Sequence, residues 1–560
     1  MPSEMPSEEY VWDHIVVGAG SAGCVVADRL SESGSRNVLL LEAGPGDTLL
    51  MKPLGLSWYV NLSRYEWGYW SRPDASRNMR SEQWRRGRVI GGSSSINGMQ
   101  YVRGARCDFD RWAAMGNFGW AADDVMPIFK ALERCKSDFR ESPDFEVRGA
   151  SGPLSIRQAR RCHPLTEAFI AATQADGFPY NRDYNAEDQA GVGYMQFNQR
   201  HGMRCSSADA FLKPALRRKN LHVLAEATVR RVLFERNRAI GIEYEHAGQI
   251  RVAKGDSVVL SGGAINTPKV LMLSGIGDAN ELIQHGIDVI VDRPAVGKNL
   301  IEHPIIRPTF RTKVPTYNPT GGLLQKLGFM AKFTFTGQGP IATPMEANAF
   351  LKTSPELAYP DIQLHFFPLG IIYSNDPAVY KGQTILPYPS FSVFVNKNYP
   401  ESRGTLSLAS GDPNDAPIIN PNLLADERDV ATLVNAIQLV RRIVSRCPLN
   451  QMIIDEVEPG APINTFESIA EYVRARTGLA YHPVGTCRMG VDSQAVVTPD
   501  LRVRGVDNLY IADASIMPDQ ISGNTNGVCM MIGEKLGRQL MVGHTSDYGY
   551  RKSEKPVAHA

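Results

Sequence analysis

The chain has 560 residues, too many for one ordinary hydrophobic core, so we expect two domains. Its 60 Lys and Arg residues balance 59 Asp and Glu residues, which excludes the strong basic charge typical of a protein with a nucleic-acid partner. The eight cysteines are dispersed, without a Cys-x-x-Cys pair or zinc-like Cys/His spacing, so we expect reduced thiols and no metal site.

The N-terminus gives no sign of a targeting segment. Its first residues are acidic and lack both the basic start and the apolar stretch of a secretion signal. Nowhere do eighteen apolar residues follow one another, as a membrane-spanning helix requires. We therefore expect a cytoplasmic enzyme that acts on a small molecule.

The first predicted elements are a strand, a glycine-rich turn and a helix. Residues 14–17 are a short apolar run rich in β-branched side chains, and residues 24–30 carry apolar side chains at helical spacing. Between them, Gly18 permits a tight turn and Gly20 lets the backbone approach a pyrophosphate at the helix N-terminus. Gly23 lets helix and strand pack closely. This order predicts a dinucleotide-binding unit.

A second predicted strand, residues 38–41, ends at Glu42. A carboxylate there can accept hydrogen bonds from ribose hydroxyls and would repel a 2′-phosphate, so the unit favours FAD or NAD over NADP. A glycine fingerprint alone is a weak signal, and strand, helix, strand and acid in this order strengthen it. The candidate cofactor contacts of this unit are Gly18, Gly20, Ser21, Ala22, Gly23, Glu42 and Ala43.

Short apolar runs return after residue 205 and predict more strands, including a hairpin. The last of them leads through a glycine turn into a predicted helix over residues 267–273, with Pro268 near its first turn. This second strand, turn and helix can return the chain to the cofactor domain. The predicted strands are residues 221–224, 229–234, 240–242 and 257–260.

Residues 310–480 differ in character, with isolated aromatic residues, many prolines and strand-like pieces. Residues 362–367 and 391–395 are such pieces, and residues 427–446 have a helical pattern. We expect a separate lobe there, built on an antiparallel sheet with helices.

Near the C-terminus, residues 509–512 predict a short buried strand that runs into Asp513, and residues 527–540 predict a helix. The fold class is therefore α/β, with a discontinuous Rossmann-like cofactor-binding domain and an inserted α+β substrate-binding domain. The predicted cofactor-binding parts are residues 1–160, 205–309 and 481–545, the substrate-binding parts are 161–204 and 310–480, and the tail is 546–560.

One apolar stripe at helical spacing has no assigned role. Most such stripes belong to a core, and the alternatives are a lid, a dimer contact or a peripheral membrane contact. The stripe consists of Leu323, Leu324, Leu327, Met330 and Phe333, with Lys326 and Lys332 interspersed.

Five motifs in order carry a family resemblance. They are the opening fingerprint, residues 87–98 (GRVIGGSSSING), 263–268 (GAINTP) with 274–277 (SGIG), 296–300 (VGKNL), and the C-terminal pair of His482-Pro483 with 523–526 (GNTN). With these motifs the chain resembles the glucose–methanol–choline (GMC) oxidoreductases, flavoproteins that oxidise alcohols. It is most similar to their choline-dehydrogenase-like and alcohol dehydrogenase or oxidase branches.

The resemblance implies FAD as the cofactor, with His482 as the active-site base and Asn526 as its partner. A neutral imidazole can take the hydroxyl proton while hydride leaves the alcohol carbon, and an amide can hold the same oxygen. Ile96 stands where some members carry a histidine that binds the flavin covalently, so the resemblance implies non-covalent FAD. Further cofactor contacts implied by the resemblance are Arg88, Gly91, Gly92, Ser95, Asn97, Gly98, Val229, Ala264, Asp513, Ala514, Asn524 and Thr525.

Three of these positions have implied individual roles. Asn97 corresponds to the residue at the flavin ring edge, the Val229 backbone to the one facing the adenine, and Asp513 to the turn beside the pyrophosphate. A plain helix N-cap is the competing interpretation of Asp513. After Asn526 the chain has Gly527-Val528, where many relatives have Ala-Pro.

The expected reaction is FAD-dependent oxidation of a primary alcohol with an apolar or aromatic body to the aldehyde, with oxygen, a quinone or another carrier as electron acceptor. A non-redox lyase on the same scaffold, a choline-type dehydrogenase and a nicotinamide dehydrogenase without flavin are the alternatives. The substrate expectation depends on the aromatic residues of the 310–480 lobe, since pockets are usually lined by apolar groups. These are Phe329, Phe333, Phe335, Phe350, Phe366, Phe367, Tyr373 and Phe391.

Overall fold

The computed structural model describes residues 10–57, 62–135, 139–373 and 383–542. The predicted tail, 546–560, lies outside the described residues. Two large sheets organise the described chain, one mostly parallel and the other antiparallel. This architecture confirms the predicted α/β class with a second, antiparallel sheet, while the domain boundaries stay a prediction.

The first sheet has seven strands drawn from three separated stretches of the chain, and five of them run parallel. Val17 pairs with both Leu41 and Leu260. Leu260 in turn pairs with Ile511. The carboxyl ends of these strands therefore share one edge, where open α/β sheets bind their ligands. In spatial order the strands are Leu221–Leu224, Val38–Leu41, Val11–Val17, Gln249–Leu260, Arg238–His246 and Ala227–Glu235, and Leu509–Ile511 pairs with Gln249–Leu260.

Close packing of backbone fixes the elements around the glycine turn. A Cβ atom at Gly23 would lie 1.9 Å from the carbonyl oxygen of Gly18, so the tight turn accepts only glycine there. The last helix packs on Gly23–Ser31, and a Cβ atom at Gly533 would lie 2.6 Å from the carbonyl oxygen of Ala22. This packing holds the start of the last helix beside the glycine turn.

The second sheet is antiparallel throughout and lies under three helices, Pro164–Ala175, Glu427–Val444 and Phe466–Arg476. It confirms the sheet predicted for the lobe. In spatial order its strands are Ile453–Glu458, Thr309–Thr312, Ser390–Lys397, Ile362–Phe367, Ala347–Leu351 and Gly191–Tyr194, and Pro304–Ile306 pairs with Ser390–Lys397 and Gly478–Leu479.

Successive residues of the second sheet face opposite sides, as the pleat requires. Phe366 and Phe391 point to the helix-covered core, where Phe366 stacks on Phe169 with ring centroids 4.6 Å apart. Phe367 and Phe394 point to the other side and pair with centroids 4.3 Å apart. The two faces of one sheet thus divide the aromatic residues between a core and a cavity.

Two local predictions are wrong. The helix Gly263–Leu273 starts earlier than predicted, so Pro268 lies inside the helix and not near its first turn. The sequence of residues 88–90 is strand-like and that of 100–102 helix-like, but neither forms that element, because Gly91 has a φ of 91° that turns the chain and the Tyr101 amide donates to the Gln196 carbonyl in extended pairing.

The remaining elements surround the two sheets. Within the described ranges, no helix has the length and apolar content needed to cross a bilayer. The other helices are Leu54–Ser57, Arg106–Ala114, Ala122–Leu132, Ala208–Leu212, Lys213–Ala215, Ala279–Gln284, Gly322–Thr336 and Asn526–Val542. The other strands are Tyr69–Trp70, Gln83–Trp84, Glu133–Cys135, Leu154–Gln158, Gln196–Arg200, Met203–Arg204, Ile276–Gly277, Val291–Asp292, Ile371–Tyr373, Gln383–Ile385, Thr405–Ser407 and Ile418–Asn420.

Candidate active site

A cavity of about 800 Å³ extends from the carboxyl edge of the first sheet to the open face of the second. Its size is within the range of ligand pockets. Most of the predicted site residues lie in its wall, although they come from distant parts of the sequence. These are Gly18, Gly20, Ser21, Ala22, Glu42, Ala43, Gly92, Asn97, Gly98, Val229, His482, Asp513, Ala514, Asn524, Thr525 and Asn526.

Five predicted cofactor contacts do not line the cavity. Gly23 permits close packing in the turn, as above. Arg88 is exposed and donates from Nε to the carbonyl of Ala43 at 3.2 Å. The others act within the surrounding backbone, where the Ser95 hydroxyl donates to the Ile90 carbonyl and the Ala264 carbonyl accepts from the Thr486 hydroxyl. The positions outside the wall are Gly23, Arg88, Gly91, Ser95 and Ala264.

Glu42 braces the glycine turn in addition to lining the cavity. Its carboxylate accepts from the Ala19 amide at 2.9 Å and from the Gly44 amide at 3.0 Å. Burial raises the pKa of this carboxyl to about 7, against the opposing effect of the two amides. The side chain can still offer oxygen lone pairs to a ribose.

Asp513 is a helix N-cap, the competing interpretation considered for it, and its side chain has further partners. It caps the short helix that follows by accepting from the Ser515 amide at 2.8 Å, and it lines the cavity. It also accepts from the Gly263 amide at 2.8 Å and from the Thr267 hydroxyl at 2.6 Å. The carboxylate therefore joins the two turns that follow neighbouring strands.

Asn97 is held in place by a buried cation. Its side-chain oxygen accepts from the Arg204 guanidinium at 2.7 Å and from the Met99 amide at 2.9 Å. Burial lowers the pKa of Arg204 to about 10. Asn97 thus turns its amide N–H groups away from this cation.

His482 lies at the other end of the cavity and belongs to a pair of histidines. Its Nδ1 is 3.0 Å from Nδ1 of His303, and the two rings are perpendicular. His303 is fully buried, with Nε2 at 2.9 Å from the Asn398 carbonyl oxygen and 3.0 Å from that of Ile521.

These contacts fix the position of each proton. Carbonyl oxygens only accept, so Nε2 of His303 carries a proton and its Nδ1 carries the lone pair when the ring is neutral. Nδ1 of His482 must then be the donor in the contact between the rings. The lone pair of His482 is therefore on Nε2, the atom that faces the cavity.

The surroundings keep both rings neutral. Burial lowers the pKa of His303 to about 4. Burial, with the nearby rings of His303 and His365 and the Arg86 guanidinium, lowers the pKa of His482 well below its usual range. At neutral pH His482 is therefore a free base with its acceptor atom directed into the cavity.

The amide beside this acceptor is Asn524. Its Nδ2 lies 3.1 Å from Nε2 of His482. Asn526, predicted to hold the substrate oxygen beside His482, accepts from the Ser21 hydroxyl at 2.7 Å. Its buried Nδ2 has no hydrogen-bond partner within the described part of the chain. The side-chain amides of Asn524 and Asn526 therefore line this end of the cavity, and the amide of Asn524 already contacts Nε2 of His482.

The backbone around His482 is fastened on both sides. The Glu302 carboxylate accepts from the His482 amide at 2.7 Å, and Gln520 donates to the His482 carbonyl at 3.0 Å. Arg86 donates to the Tyr481 carbonyl at 2.7 Å, and Tyr481 has a φ of 65° that side-chain-bearing residues seldom adopt. Such a locally strained backbone needs these contacts to hold the base in position.

Sequence reasoning missed His303, Arg204 and His365. His303 follows the motif of residues 296–300 closely, and this position was the available signal. His365 lies in the cavity wall, and its Nε2 is 3.0 Å from the Asn396 amide nitrogen. Nothing in the strand sequence around it distinguishes this histidine from a core residue.

The donors and acceptors of the wall fit FAD. The glycine turn and the helix Gly23–Ser31 can receive a pyrophosphate, and Glu42 can receive a ribose. The Ser261 hydroxyl, buried in the same edge, has no partner within the described residues. No group of three or more His, Cys, Asp or Glu in that part of the chain could hold a metal ion, and all eight cysteines are free.

Comparison with known proteins agrees with this geometry. The chain is 38% identical to alcohol dehydrogenase [acceptor] of Pseudomonas putida, over 94% of each chain. It is 39% identical to oxygen-dependent choline dehydrogenase of Rhizobium rhizogenes, over 94% of this chain and 95% of that protein. A solved structure of a formate oxidase variant from Aspergillus oryzae RIB40, studied for its FAD modification, superposes with a TM-score of 0.87 at 26% identity, covering 96% and 99% of the chains.

The family profiles described as GMC oxidoreductase match residues 12–305 and 400–533. Together they span most of the chain, including the glycine turn and His482. The implied cofactor is FAD, which excludes the alternative of a nicotinamide dehydrogenase without flavin. The chain therefore belongs to the GMC oxidoreductase family, flavin-dependent enzymes that act on alcohols.

Proposed function

We propose that the protein oxidises a primary alcohol with an apolar or aromatic body to its aldehyde, and that His482 is the base. The observation that carries the proposal is the neutral His482, whose Nε2 lone pair faces the cavity because His303 holds its Nδ1 proton. A ring that is neutral at neutral pH and has a fixed acceptor atom can take the proton of an alcohol.

Each residue of the site would have its own role in the reaction. FAD, when bound, supplies the hydride acceptor. His482 Nε2 takes the hydroxyl proton in place of its contact with Asn524. The amides of Asn524 and Asn526 can donate to the substrate oxygen without competing for its proton. His303 keeps accepting from Nδ1 as His482 becomes positive.

The wall beyond His482 supports an apolar substrate body. Ile305, Met345, Phe367, Ile371 and Phe394 line the cavity and pack together in one apolar cluster. Burial of an apolar alcohol against them is favourable by the hydrophobic effect.

Among the described side chains of the predicted aromatic set, only Phe367 lies in that wall. Phe350, Phe366 and Phe391 are in cores, Phe335 is exposed, and the side chain of Tyr373 lies outside the described residues. The substrate proposal therefore rests on the apolar cluster of the cavity wall, to which the predicted aromatic set contributes Phe367.

A choline-type substrate is less well supported by the wall. Arg307 lines the same cavity, with its guanidinium 4.8 Å from the Phe394 ring, and would repel a quaternary ammonium. Glu346, whose carboxyl group could attract a cation, is not in the wall and accepts from the Thr166 and Tyr317 hydroxyls.

The proposal is tested by anaerobic mixing of the purified protein with alcohols, followed through the flavin absorbance. We expect bleaching by benzyl-type and medium-chain primary alcohols with a higher kcat/KM than by choline or glucose. Admission of air then reports whether oxygen is an acceptor. Absence of bleaching by any alcohol, with a cyanohydrin cleaved, would favour the lyase alternative, and faster bleaching by glucose would refute the apolar substrate.

We also infer that FAD is held without a covalent bond, because Ile96 lines the cavity where a histidine would be needed as the attachment point. Acid precipitation should leave the yellow colour in the supernatant. A yellow pellet would contradict this inference.

Replacement of Glu42 by alanine is expected to weaken FAD binding by about tenfold or more, since a charged hydrogen bond to ribose and the brace on Ala19 are lost together. The pH dependence of flavin reduction should stay unchanged, because Glu42 is at the far end of the cavity from His482. Equilibrium FAD binding and stopped-flow reduction measure the two effects. Unchanged FAD affinity would mean that Glu42 only braces the turn.

A further inference from the structure

The helix Gly322–Thr336, which carries the apolar stripe, has no buried residue. Leu324 is 83% exposed, Phe335 86% and Leu323 72%, and Leu327 and Met330 are also exposed. The structure therefore excludes a core role for most of the stripe. So many large apolar side chains on one helix are uncommon on a surface that faces only water.

One side of this helix packs on the protein, and the opposite side carries exposed apolar side chains. Leu323, Leu327 and Met330 share one outward face by their helical spacing. On the inner side, Phe329 meets Tyr317 with perpendicular rings 5.7 Å apart. The inner contact anchors the helix to the protein, and the larger apolar face remains outside.

The charged side chains of this segment of the chain have one sign. Between Arg311 and Glu346 the sequence contains no Asp or Glu, while Lys313, Lys326 and Lys332 lie in this stretch. Lys326 is exposed on the helix itself, and Lys332 donates to a backbone carbonyl. An apolar face on a segment with lysines and no acidic residue of its own complements a surface that is apolar inside and anionic outside.

We propose that the 322–336 helix docks on an anionic membrane, lying in the plane of the bilayer with its outward face among the headgroups. Surface-lying helices of this type combine large apolar side chains with lysines, and both contributions strengthen binding to anionic lipids. A partner protein would need an acidic and apolar counterpart, whereas anionic lipid supplies both properties everywhere on its surface.

A second pair of exposed apolar side chains, Leu49 and Leu50, lies near the segment that follows this helix. Leu49 and Leu50 are exposed on a short helical turn, and Gly55, just after it, donates to the Ile341 carbonyl at 2.9 Å. The segment that follows the 322–336 helix therefore adjoins this turn. Leu54 and Met345, from the same two segments, line the cavity. Docking here would bring the cavity wall close to the lipid.

The test is sedimentation of the FAD-loaded full chain with vesicles of phosphatidylcholine and phosphatidylglycerol in a molar ratio of about 3:1, compared with vesicles of phosphatidylcholine alone. We expect binding to the anionic vesicles, weaker binding to the neutral ones, and loss in high salt. Leu324→Asp with Phe335→Asp should weaken binding about a hundredfold. Lys326→Glu keeps the apolar face and should weaken binding to the anionic vesicles only.

The matched control carries Phe118→Asp and Ile283→Asp, two large apolar residues that are exposed elsewhere. It should bind vesicles like the unaltered protein, and all variants should retain their FAD and their turnover of a soluble alcohol with a dye acceptor. The proposal is overturned if the unaltered protein does not sediment with anionic vesicles, or if the control loses binding equally. It is also overturned if sedimentation velocity shows a dimer that the Leu324 and Phe335 changes dissociate, since a second copy would then cover the helix.

Discussion

Replacement of His482 by alanine is expected to slow reduction of the bound flavin by substrate at least about a hundredfold, the usual scale for loss of a general base. The reason is geometric. His482 presents the lone pair of Nε2 to the cavity, and the neighbouring amides of Asn524 and Asn526 cannot accept a proton at neutral pH. Stopped-flow absorbance under anaerobic conditions measures the rate constant directly.

The pH profile of the unaltered protein follows from the depressed pKa of His482. Only the neutral ring is a base, so protonation of His482 should not slow the reaction near pH 6.5, the ordinary histidine pKa. The rate should fall only as the pH drops below the lowered pKa that His482 has in the folded protein. A loss of rate centred near 6.5 would contradict the burial and the neighbouring charges found here.

His285→Ala is a matched control, since this histidine lies outside the cavity wall. It should reduce flavin at the unaltered rate. Asn526→Ala should slow flavin reduction less than His482→Ala. Comparison of Asn526→Ala with Asn524→Ala then shows which of the two amides holds the substrate oxygen. A His482→Ala rate within about twofold of the unaltered protein would place the base elsewhere.

Much of the fold could be predicted because its strands and turns depend on local sequence. The strands Val38–Leu41, Leu221–Leu224 and Ile362–Phe367 occur at their predicted bounds, and the helix Glu427–Val444 ends two residues before its predicted end. Buried parallel strands are continuous apolar runs, which are easy to recognise. The backbone near residues 88–102 could not be predicted, because positive φ values at two glycines and pairing with a distant strand determine its path.

The site was predictable where a motif specifies it and not where topology does. His482 follows from the family motif, whereas the contact of the Asn524 amide with its Nε2 depends on how the chain enters the last helix. The division of Phe366 and Phe367 between core and cavity depends on which face of the sheet the helices cover. The exposure of the 322–336 helix likewise depends on neighbours that helical spacing does not reveal.

Replacement of His303 is expected to slow flavin reduction by about tenfold or more, although this residue is not in the cavity wall. His303 is a positioning residue, which acts by accepting the Nδ1 proton of His482. Without this acceptor the His482 ring can carry its proton on Nε2 instead, and then the atom that faces the substrate is a donor. The Nδ1 contact also affects the protonation of His482, so its loss should shift the acid limb of the pH profile.

Two conservative variants separate this role from simple packing. His303→Asn keeps an acceptor oxygen near the position of Nδ1, while His303→Gln keeps a donor near Nε2 for the Asn398 and Ile521 carbonyls. If the proton position on His482 matters, the asparagine variant should retain more activity and a pH profile closer to the unaltered one. If His303 only fills space and satisfies the two carbonyls, the glutamine variant should be the more active. Thermal unfolding of both variants, measured with FAD bound, shows whether a difference in rate accompanies a difference in stability, and a slower asparagine variant of equal stability would refute the positioning role.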